Sequence, residues 1–298
     1  MKKAIEGIFT SILTPFKKDS LKVDFDALIN LTGFLADHGC NGVIPLSTYG
    51  EFTSLNIIEK KQILVSIMEA RENMIVMPNI GSDNLEETLE LAHFAQGIGV
   101  DGLIIIPPYF YNDLETEGLV NYYKKILNVI SIPVYLYNIP KYTGVSIEDS
   151  LLDELMETGK ITGIKDASGD IGLIQHFKTK YPQLKILLAH ETLFYEGLVL
   201  GVNGIVSYLG NAFPEAIESI VFDFHQPKRG GRSAQLYVNE IHHIIRKYPR
   251  ISALKYIATL RGLPESDVRL PLTGLTDKRK DELKTSLMSY ITNPTLIS

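Results

Sequence analysis

The sequence predicts an α/β fold, a (β/α)8 TIM barrel with a C-terminal helical extension. Three observations lead there. Short apolar or β-branched runs recur about every 25 to 30 residues, each followed by a stretch of helical period, which is the mark of repeated βα units. The runs are nearly continuous in hydrophobicity instead of alternating, as expected of parallel strands covered by helices. The length of 298 residues allows two average domains, but barrels of this kind commonly reach that size as one unit.

In chain order, strands are predicted at GIFTSILT (7–14), GVIPLS (42–47), MIVMPNI (74–80), GLIIIP (102–107), PVYLYN (133–138), ITGIK (161–165), KILLAH (185–190) and GIVSY (204–208). Between them, apolar residues fall on single helical faces: Leu28, Leu31 and Leu35 in the first helix, Ile63, Leu64, Ile67 and Met68 in the second. The fourth has the clearest stripe, with Leu119, Tyr122, Tyr123, Ile126, Leu127 and Ile130. Ser82 and Asp83, ahead of NLEETLELA, offer the oxygen acceptors that start a helix. After the eighth strand more chain remains than one closing helix can use. SAQLYVNEIHHIIRKY, ISALKYIATLRGL and DKRKDELKTSLMSYI all have helical period. The division expected is therefore a catalytic barrel over 1–225 and a helical extension packed on it over 226–298. A separate small domain is the alternative, but no Pro, Gly or Ser-rich linker marks one.

Composition narrows the function classes. Hydrophobic residues make up 45% and charged residues 21%, enough apolar material for a large core. The formal net charge is −6 and no long Lys/Arg run occurs, which argues against a nucleic-acid partner. Cys40 is the single cysteine, so neither an intrachain disulfide nor a thiolate-rich metal site can form. The opening MKKAIEGIFTSIL lacks the apolar stretch and cleavage site of a secretory leader, and no run approaches the roughly 20 apolar residues of a membrane span. A cytoplasmic location with no membrane partner is the expectation.

In such barrels chemistry sits at the C-terminal strand ends and the loops that follow. Those positions hold Thr48 and Glu51, the tyrosines of PPYFYN, Tyr137, Lys165 and His190. Lys165 ends an apolar strand. An ordinary lysine is neutral only about once in 2,500 molecules at pH 7, whereas burial lowers its pKa and leaves an amine able to attack a carbonyl. The alternative is a structural lysine paired with Asp166 or another carboxylate. Adjacent strands lie about 4.8 Å apart, so Tyr137 can set its hydroxyl beside that amine and pass protons, or else be a core aromatic with a bonded tip. STYGEF (47–52) can offer hydroxyls and N–H groups to a carboxylate, or be a tight turn in which Ser47 and Thr48 bond their own backbone. His190 and Glu191 hint at a metal, but no convincing third ligand accompanies them. The neighbouring His242 and His243 read as surface or packing residues. Neither dinucleotide nor P-loop glycine spacing is present, and no cofactor is expected.

STYGEF, YNIPKYTG, GIKDASGD and the opening GIFTSILTPF occur in order at barrel positions. In this the chain resembles the dihydrodipicolinate synthase and N-acetylneuraminate lyase family of Schiff-base enzymes, from about residue 5 to SDVRLPLTGLTD. The resemblance implies a pyruvate-dependent aldolase or lyase in which Lys165 forms an imine with pyruvate or another 2-oxo acid and Tyr137 relays protons. It also implies that Thr48 and the Tyr49 backbone hold the carboxylate, and that Val206 is the strand-eight contact. It further implies a homotetramer, a dimer of dimers, with a tyrosine after strand four crossing to the partner's site as part of the catalytic set. PPYFYN holds one residue more than the family's usual pattern, so that tyrosine is Tyr109 or Tyr111; matching from the downstream EG favours Tyr111.

Two further departures bear on substrate. Tyr49 stands where the family commonly has a second small hydroxyl residue, so its side chain must point away or narrow the pocket. Tyr142 stands where the synthase has an arginine for the carboxylate of its second substrate, and one phenol cannot reproduce a bidentate guanidinium. Neighbouring Lys141 supplies charge there only if it turns inward. Ile57 and Lys60 replace the polar pattern of lysine-sensitive members, so no feedback by lysine is expected. The expected substrate is thus a 2-oxo-3-deoxy sugar acid, its hydroxyls meeting Tyr142. The alternatives are dihydrodipicolinate synthase, a sugar-acid dehydratase of the same family, a non-catalytic 2-oxo-acid binder and a metal-dependent aldolase.

Overall fold

Eight parallel strands form the inner wall of the molecule in a computed structural model that describes residues 4–111, 113–226 and 232–293. They are β1 (Gly7–Thr10), β2 (Gly42–Val43), β3 (Ile75–Val76), β4 (Leu103–Ile105), β5 (Val134–Asn138), β6 (Ile161–Asp166), β7 (Lys185–Leu188) and β8 (Gly204–Ser207). Their order is β3-β2-β1-β8-β7-β6-β5-β4. The two ends of that order meet in a parallel bridge between Asn79 and Ile104. There the Ile80 N–H donates to Ile104 O and the Ile104 N–H to Pro78 O, both at 2.9 Å, so the sheet closes into a barrel. The Asn79 side chain bolts this seam, donating to Leu46 O at 3.1 Å and accepting from the Ile106 N–H at 3.1 Å.

The regular ladders of β2 and β3 are shorter than the runs 42–47 and 74–80. Pro45 and Pro78 have no N–H to give, so each interrupts the regular ladder by one bond, although their carbonyls still accept from the Asn79 and Ile104 N–H groups. Gly163 is the opposite case. A Cβ on it would lie 2.1 Å from Lys185 O and 2.5 Å from the Tyr135 ring, so only glycine lets β6 approach its neighbours there.

Around the barrel run α1 (Phe25–Asp37), α2 (Ile57–Ala70), α3 (Leu85–Gly97), α4 (Thr116–Leu127), α5 (Pro140–Thr143), α6 (Asp149–Met156), α7 (Ile171–Lys180), α8 (Phe194–Val199) and α9 (Pro214–Phe224). Leu28, Leu31 and Leu35 of α1 and Leu119, Tyr123, Ile126 and Leu127 of α4 are buried, as their spacing predicts. The start of α3 differs from the expectation. Asn84 is its cap, accepting from the Glu86 and Glu87 N–H groups. Ser82 instead accepts from the Asn84 N–H, and Asp83 Oδ1 accepts from the Tyr109 and Phe110 N–H groups, fixing the loop after β4. The stretch YNIPKYTG is not an open turn. Pro140 opens the single helical turn α5, which ends at Gly144 in the left-handed region, φ +69.

Helices α10 (Ser233–Ile245), α11 (Arg250–Leu260) and α12 (Asp277–Thr292) follow. Gln235 of α10 donates to Glu191 O at 2.7 Å and accepts from the Tyr195 N–H, clamping α10 to the segment after β7. Lys255 of α11 reaches Glu51 in the loop after β2 at 2.6 Å, both side chains buried. Arg269 pairs with Glu59 at 2.6 Å and donates its N–H to Glu51 Oε2. Among the described residues no helix is long and apolar enough to cross a membrane.

Candidate active site

The strand register builds the centre of the site. Tyr137 of β5 pairs directly with Lys165 of β6, so both side chains project to the same face at the same level. Lys165 is 1% exposed and Tyr137 4%. The Lys165 Nζ lies 3.3 Å from the centroid of the Tyr137 ring, and the Tyr137 hydroxyl lies 3.5 Å from Thr48 Oγ1. The amine therefore meets the face of the phenol and not its hydroxyl, a difference from the side-by-side placement the sequence suggests. Thr48 faces this group across the barrel, which is not the local turn bond open to it in STYGEF.

Asp166 does not hold the lysine. Successive strand residues point to opposite faces, and the Asp166 carboxylate is occupied by Asn138 Nδ2 at 2.6 Å and by the Ser168 hydroxyl at 2.7 Å. Among the described residues no carboxylate lies within 4.0 Å of Lys165 Nζ. Burial holds the Lys165 amine well below lysine's usual range, against the opposing pull of Glu191 and Asp166. Burial also raises the Tyr137 phenol.

Lys165 and Tyr137 open into a cavity of about 150 Å³. Its wall includes Thr48, Tyr49, Tyr142, Lys141 and Val206, so of the predicted site residues the structure gathers all but Tyr111 in one protomer. Val206 comes from β8 and is 2% exposed. Tyr49 narrows the cavity, its ring stacked on Tyr208 with centroids 4.2 Å apart. Tyr111 is 66% exposed and lies against Phe110, and Tyr109 packs edge-on to Phe52. Neither tyrosine lines the cavity of its own protomer; a tyrosine crossing to a neighbouring site concerns a second copy of the chain.

Two wall residues were not read from the sequence as site groups, and a third, Glu191, was weighed there only as a metal ligand. His242 is not merely a packing residue: it lines the cavity with Nδ1 2.7 Å from Tyr208 Oη, and burial lowers its pKa to about 4. Its neighbour His243 is exposed. Glu191 is buried, accepting from the Tyr208 N–H at 2.8 Å and the Ser207 hydroxyl at 3.2 Å. Arg250 of α11 is half-buried and reaches the Tyr49 hydroxyl at 3.4 Å and the Tyr142 hydroxyl at 3.2 Å. One local signal pointed to it. A cation at the first position of a helix opposes the helix dipole, and such a violation needs a reason elsewhere in the fold.

Burial pushes the Glu191 carboxyl up to about 7. A raised acid pKa means the folded chain holds a proton that the unfolded chain has released. Its stability contribution is complete below the ordinary value of 4.5 and is lost as pH rises through about 7. On this group alone the wild type should lose about 3 kcal/mol between pH 5 and pH 8. Glu191→Gln should flatten that difference when denaturant midpoints are compared at the two pH values; an unchanged slope would place the titration elsewhere.

Comparison with known proteins agrees with this geometry. The model of the dihydrodipicolinate synthetase family matches residues 4–290. A 4-hydroxy-tetrahydrodipicolinate synthase of Methanococcus maripaludis is 30% identical over 292 residues, covering 95% of this chain and 98% of the relative. An uncharacterized DapA-like lyase of Chloroflexus aurantiacus is 32% identical over 285 residues, covering 93% and 94%. Among solved structures, YagE of E. coli K12, a prophage protein of the dihydrodipicolinic acid synthase family in complex with pyruvate, superposes with a TM-score of 0.90 at 26% identity, covering 96% of this chain and 99% of that one. With the barrel, its helical extension and matches of this extent, the chain belongs to the dihydrodipicolinate synthetase family and is a lyase of the aldolase type.

Proposed function

We propose that this enzyme is a Schiff-base aldolase that cleaves or forms a 2-oxo-3-deoxy sugar acid, with pyruvate as the three-carbon partner. The observation that carries this reading is Lys165: a buried amine at a strand end, facing a cavity, with its pKa depressed by burial and no salt bridge to it among the described residues. The neutral amine attacks C2 of the 2-oxo acid, and loss of water from the carbinolamine gives the imine. The Tyr137 phenol is protonated at rest and supplies the proton that leaves with that water. The phenolate left behind, a strong base for the same reason, takes the proton of the C4 hydroxyl. The C3–C4 bond then breaks, its electron pair enters the enamine, and an aldehyde departs. Protonation at C3 and hydrolysis return pyruvate and free Lys165. Thr48, 3.5 Å from the Tyr137 hydroxyl, completes the proton path and with the Tyr49 backbone and Val206 seats the 2-oxo acid.

Incubation with pyruvate and borohydride, followed by peptide mass spectrometry, tests this directly. One reduced pyruvate adduct per chain is expected, on the peptide carrying Lys165. A chain that turns over substrate with Lys165 unlabelled overturns the Schiff-base reading, and adduct without turnover of any aldehyde would favour a 2-oxo-acid binder. Condensation of pyruvate with an acidic aldehyde, the synthase reading, is supported by the name of the Methanococcus maripaludis relative and by the guanidinium of Arg250 at the cavity wall.

A further inference from the structure

Arg250 is a charged group with no salt-bridge partner among the described residues. Its guanidinium is half-buried at the cavity wall, and its hydrogen bonds run to the phenols of Tyr49 at 3.4 Å and Tyr142 at 3.2 Å. Both accept as phenol oxygens, and burial holds the Tyr49 hydroxyl well above its usual range. Among the described residues no carboxylate lies within 4.0 Å of the guanidinium. A guanidinium partly removed from water normally gains a carboxylate or phosphate, because long bonds to neutral oxygens do not offset its desolvation. The charged groups around it do not supply one. Lys141 and Lys165 on the cavity wall are cationic or neutral, and Glu191 is committed to the Tyr208 N–H and the Ser207 hydroxyl.

The position matters as much as the charge. Lys165 contacts Tyr137, whose hydroxyl faces Thr48; Tyr49 follows Thr48 in the chain and carries its own hydroxyl to Arg250. This line of contacts links the amine to the guanidinium, and both line the cavity. Tyr142 on α5 bonds the other terminal nitrogen of Arg250, so an arginine from the helical extension lies beside a tyrosine on the α5 turn.

We propose that Arg250 is a specificity-determining residue that receives a terminal carboxylate on the part of the substrate remote from the reacting carbonyl. The planar fork of one guanidinium matches a planar carboxylate bidentately. Tyr49 and Tyr142 then bond the hydroxyls next to that terminus. The inference rests on the Schiff-base reading and narrows it: the sugar acid is acidic at both ends, and the aldehyde released from it carries a carboxylate. It also restores the preference for an acidic acceptor that Tyr142 had removed from the sequence argument.

The test uses imine formation itself, so it needs no knowledge of the natural aldehyde. The full chain is titrated with pyruvate, 2-oxohexanoate, 2-oxoglutarate and 2-oxoadipate, and each imine is trapped with borohydride. In the wild type at least one dicarboxylate should trap at a tenfold or more lower concentration than 2-oxohexanoate. In Arg250→Met that advantage, read as the ratio of the two trapping concentrations, should vanish, and Arg250→Lys should recover part of it. Equal trapping of the dicarboxylates and 2-oxohexanoate by the wild type, or a loss in Arg250→Met shared equally with pyruvate, would overturn the proposal while leaving the Schiff base intact. A preference for glyceraldehyde 3-phosphate over every carboxylated aldehyde in turnover assays would overturn it too. Absence of any pyruvate adduct in the wild type would instead refute the underlying mechanism.

Discussion

Lys165→Met should lower kcat by about 10⁴-fold or more and at the same time raise the stability of the protein by about 1–3 kcal/mol. The loss follows from removing the amine proposed to form the imine. The gain follows from the environment. Lys165 is 1% exposed, without a carboxylate within salt-bridge distance among the described residues, and burial depresses its pKa. At pH 7 the unfolded chain carries the ammonium, while the folded chain must either release that proton or keep the charge out of water. Methionine matches the lysine stem in volume and has nothing to protonate. The sign has a second check. A depressed lysine pKa costs the folded state less as pH rises toward the ordinary value of 10.5, because the unfolded chain then loses the proton as well. The stability advantage of the variant should therefore shrink between pH 7 and pH 10 in denaturant titrations. A variant less stable than wild type at pH 7 would mean that Lys165 has a partner in the fold.

The same substitution at the other buried lysine should act in the opposite direction. Lys255→Met should destabilise the protein by about 3–5 kcal/mol. Lys255 is 2% exposed, its Nζ lies 2.6 Å from Glu51 Oε1, and it donates to Asp267 O. The Glu51 side chain is fully buried, so removing the cation leaves a carboxylate with neither water nor a counter-charge. Burial brings the Lys255 ammonium down to about 8, which still leaves it charged at pH 7. The damage should reach the site, because Glu51 follows Thr48 and Tyr49 in the same loop. Thermal or denaturant midpoints measure the loss of stability, and a raised KM for pyruvate would measure the displacement of Thr48. The double variant Lys255→Met with Glu51→Gln should recover part of the stability. If it recovers nothing, the ion pair is not the source of the loss.

Lysine burial was legible along the chain only as a possibility. ITGIK predicts a strand ending in a cation, and ISALKYIATL predicts only a helix, with nothing said of the lysine within it. Neither pattern states whether a carboxylate waits at the end of the side chain. For Lys165 the register with β5 decides, since it sets the amine against the Tyr137 ring while Asp166 turns to Asn138 and Ser168. For Lys255 the packing of α11 decides, since it brings a carboxylate from the second strand loop across more than two hundred residues of chain.

Local pattern was sufficient for the barrel. Runs of two kinds, apolar strands and helical stripes, repeat along the chain, and a parallel closed sheet is the arrangement that buries both. It also named Lys165, Tyr137 and Thr48, because strand ends in a barrel converge on one mouth, whereas Tyr49, Tyr142 and Val206 were named only by the resemblance to the family. The start of α3 was misplaced by one or two residues because Ser82, Asp83 and Asn84 all carry acceptors, and only the loop after β4 determines which of them is free to cap the helix.

By itself, then, the sequence determined the repeating βα architecture and the residues that strand ends deliver to the cavity, since both depend on periodicity along a single stretch of chain. Tertiary structure alone decided the rest of that cavity's wall. Arg250, Glu191 and His242 reach it from segments whose local patterns concern only their own helix or turn, and a guanidinium from α11 faces a tyrosine of α5 because the extension folds back over the barrel. Electrostatic partnership between distant segments depends on distance in space, and no periodicity in the chain encodes it.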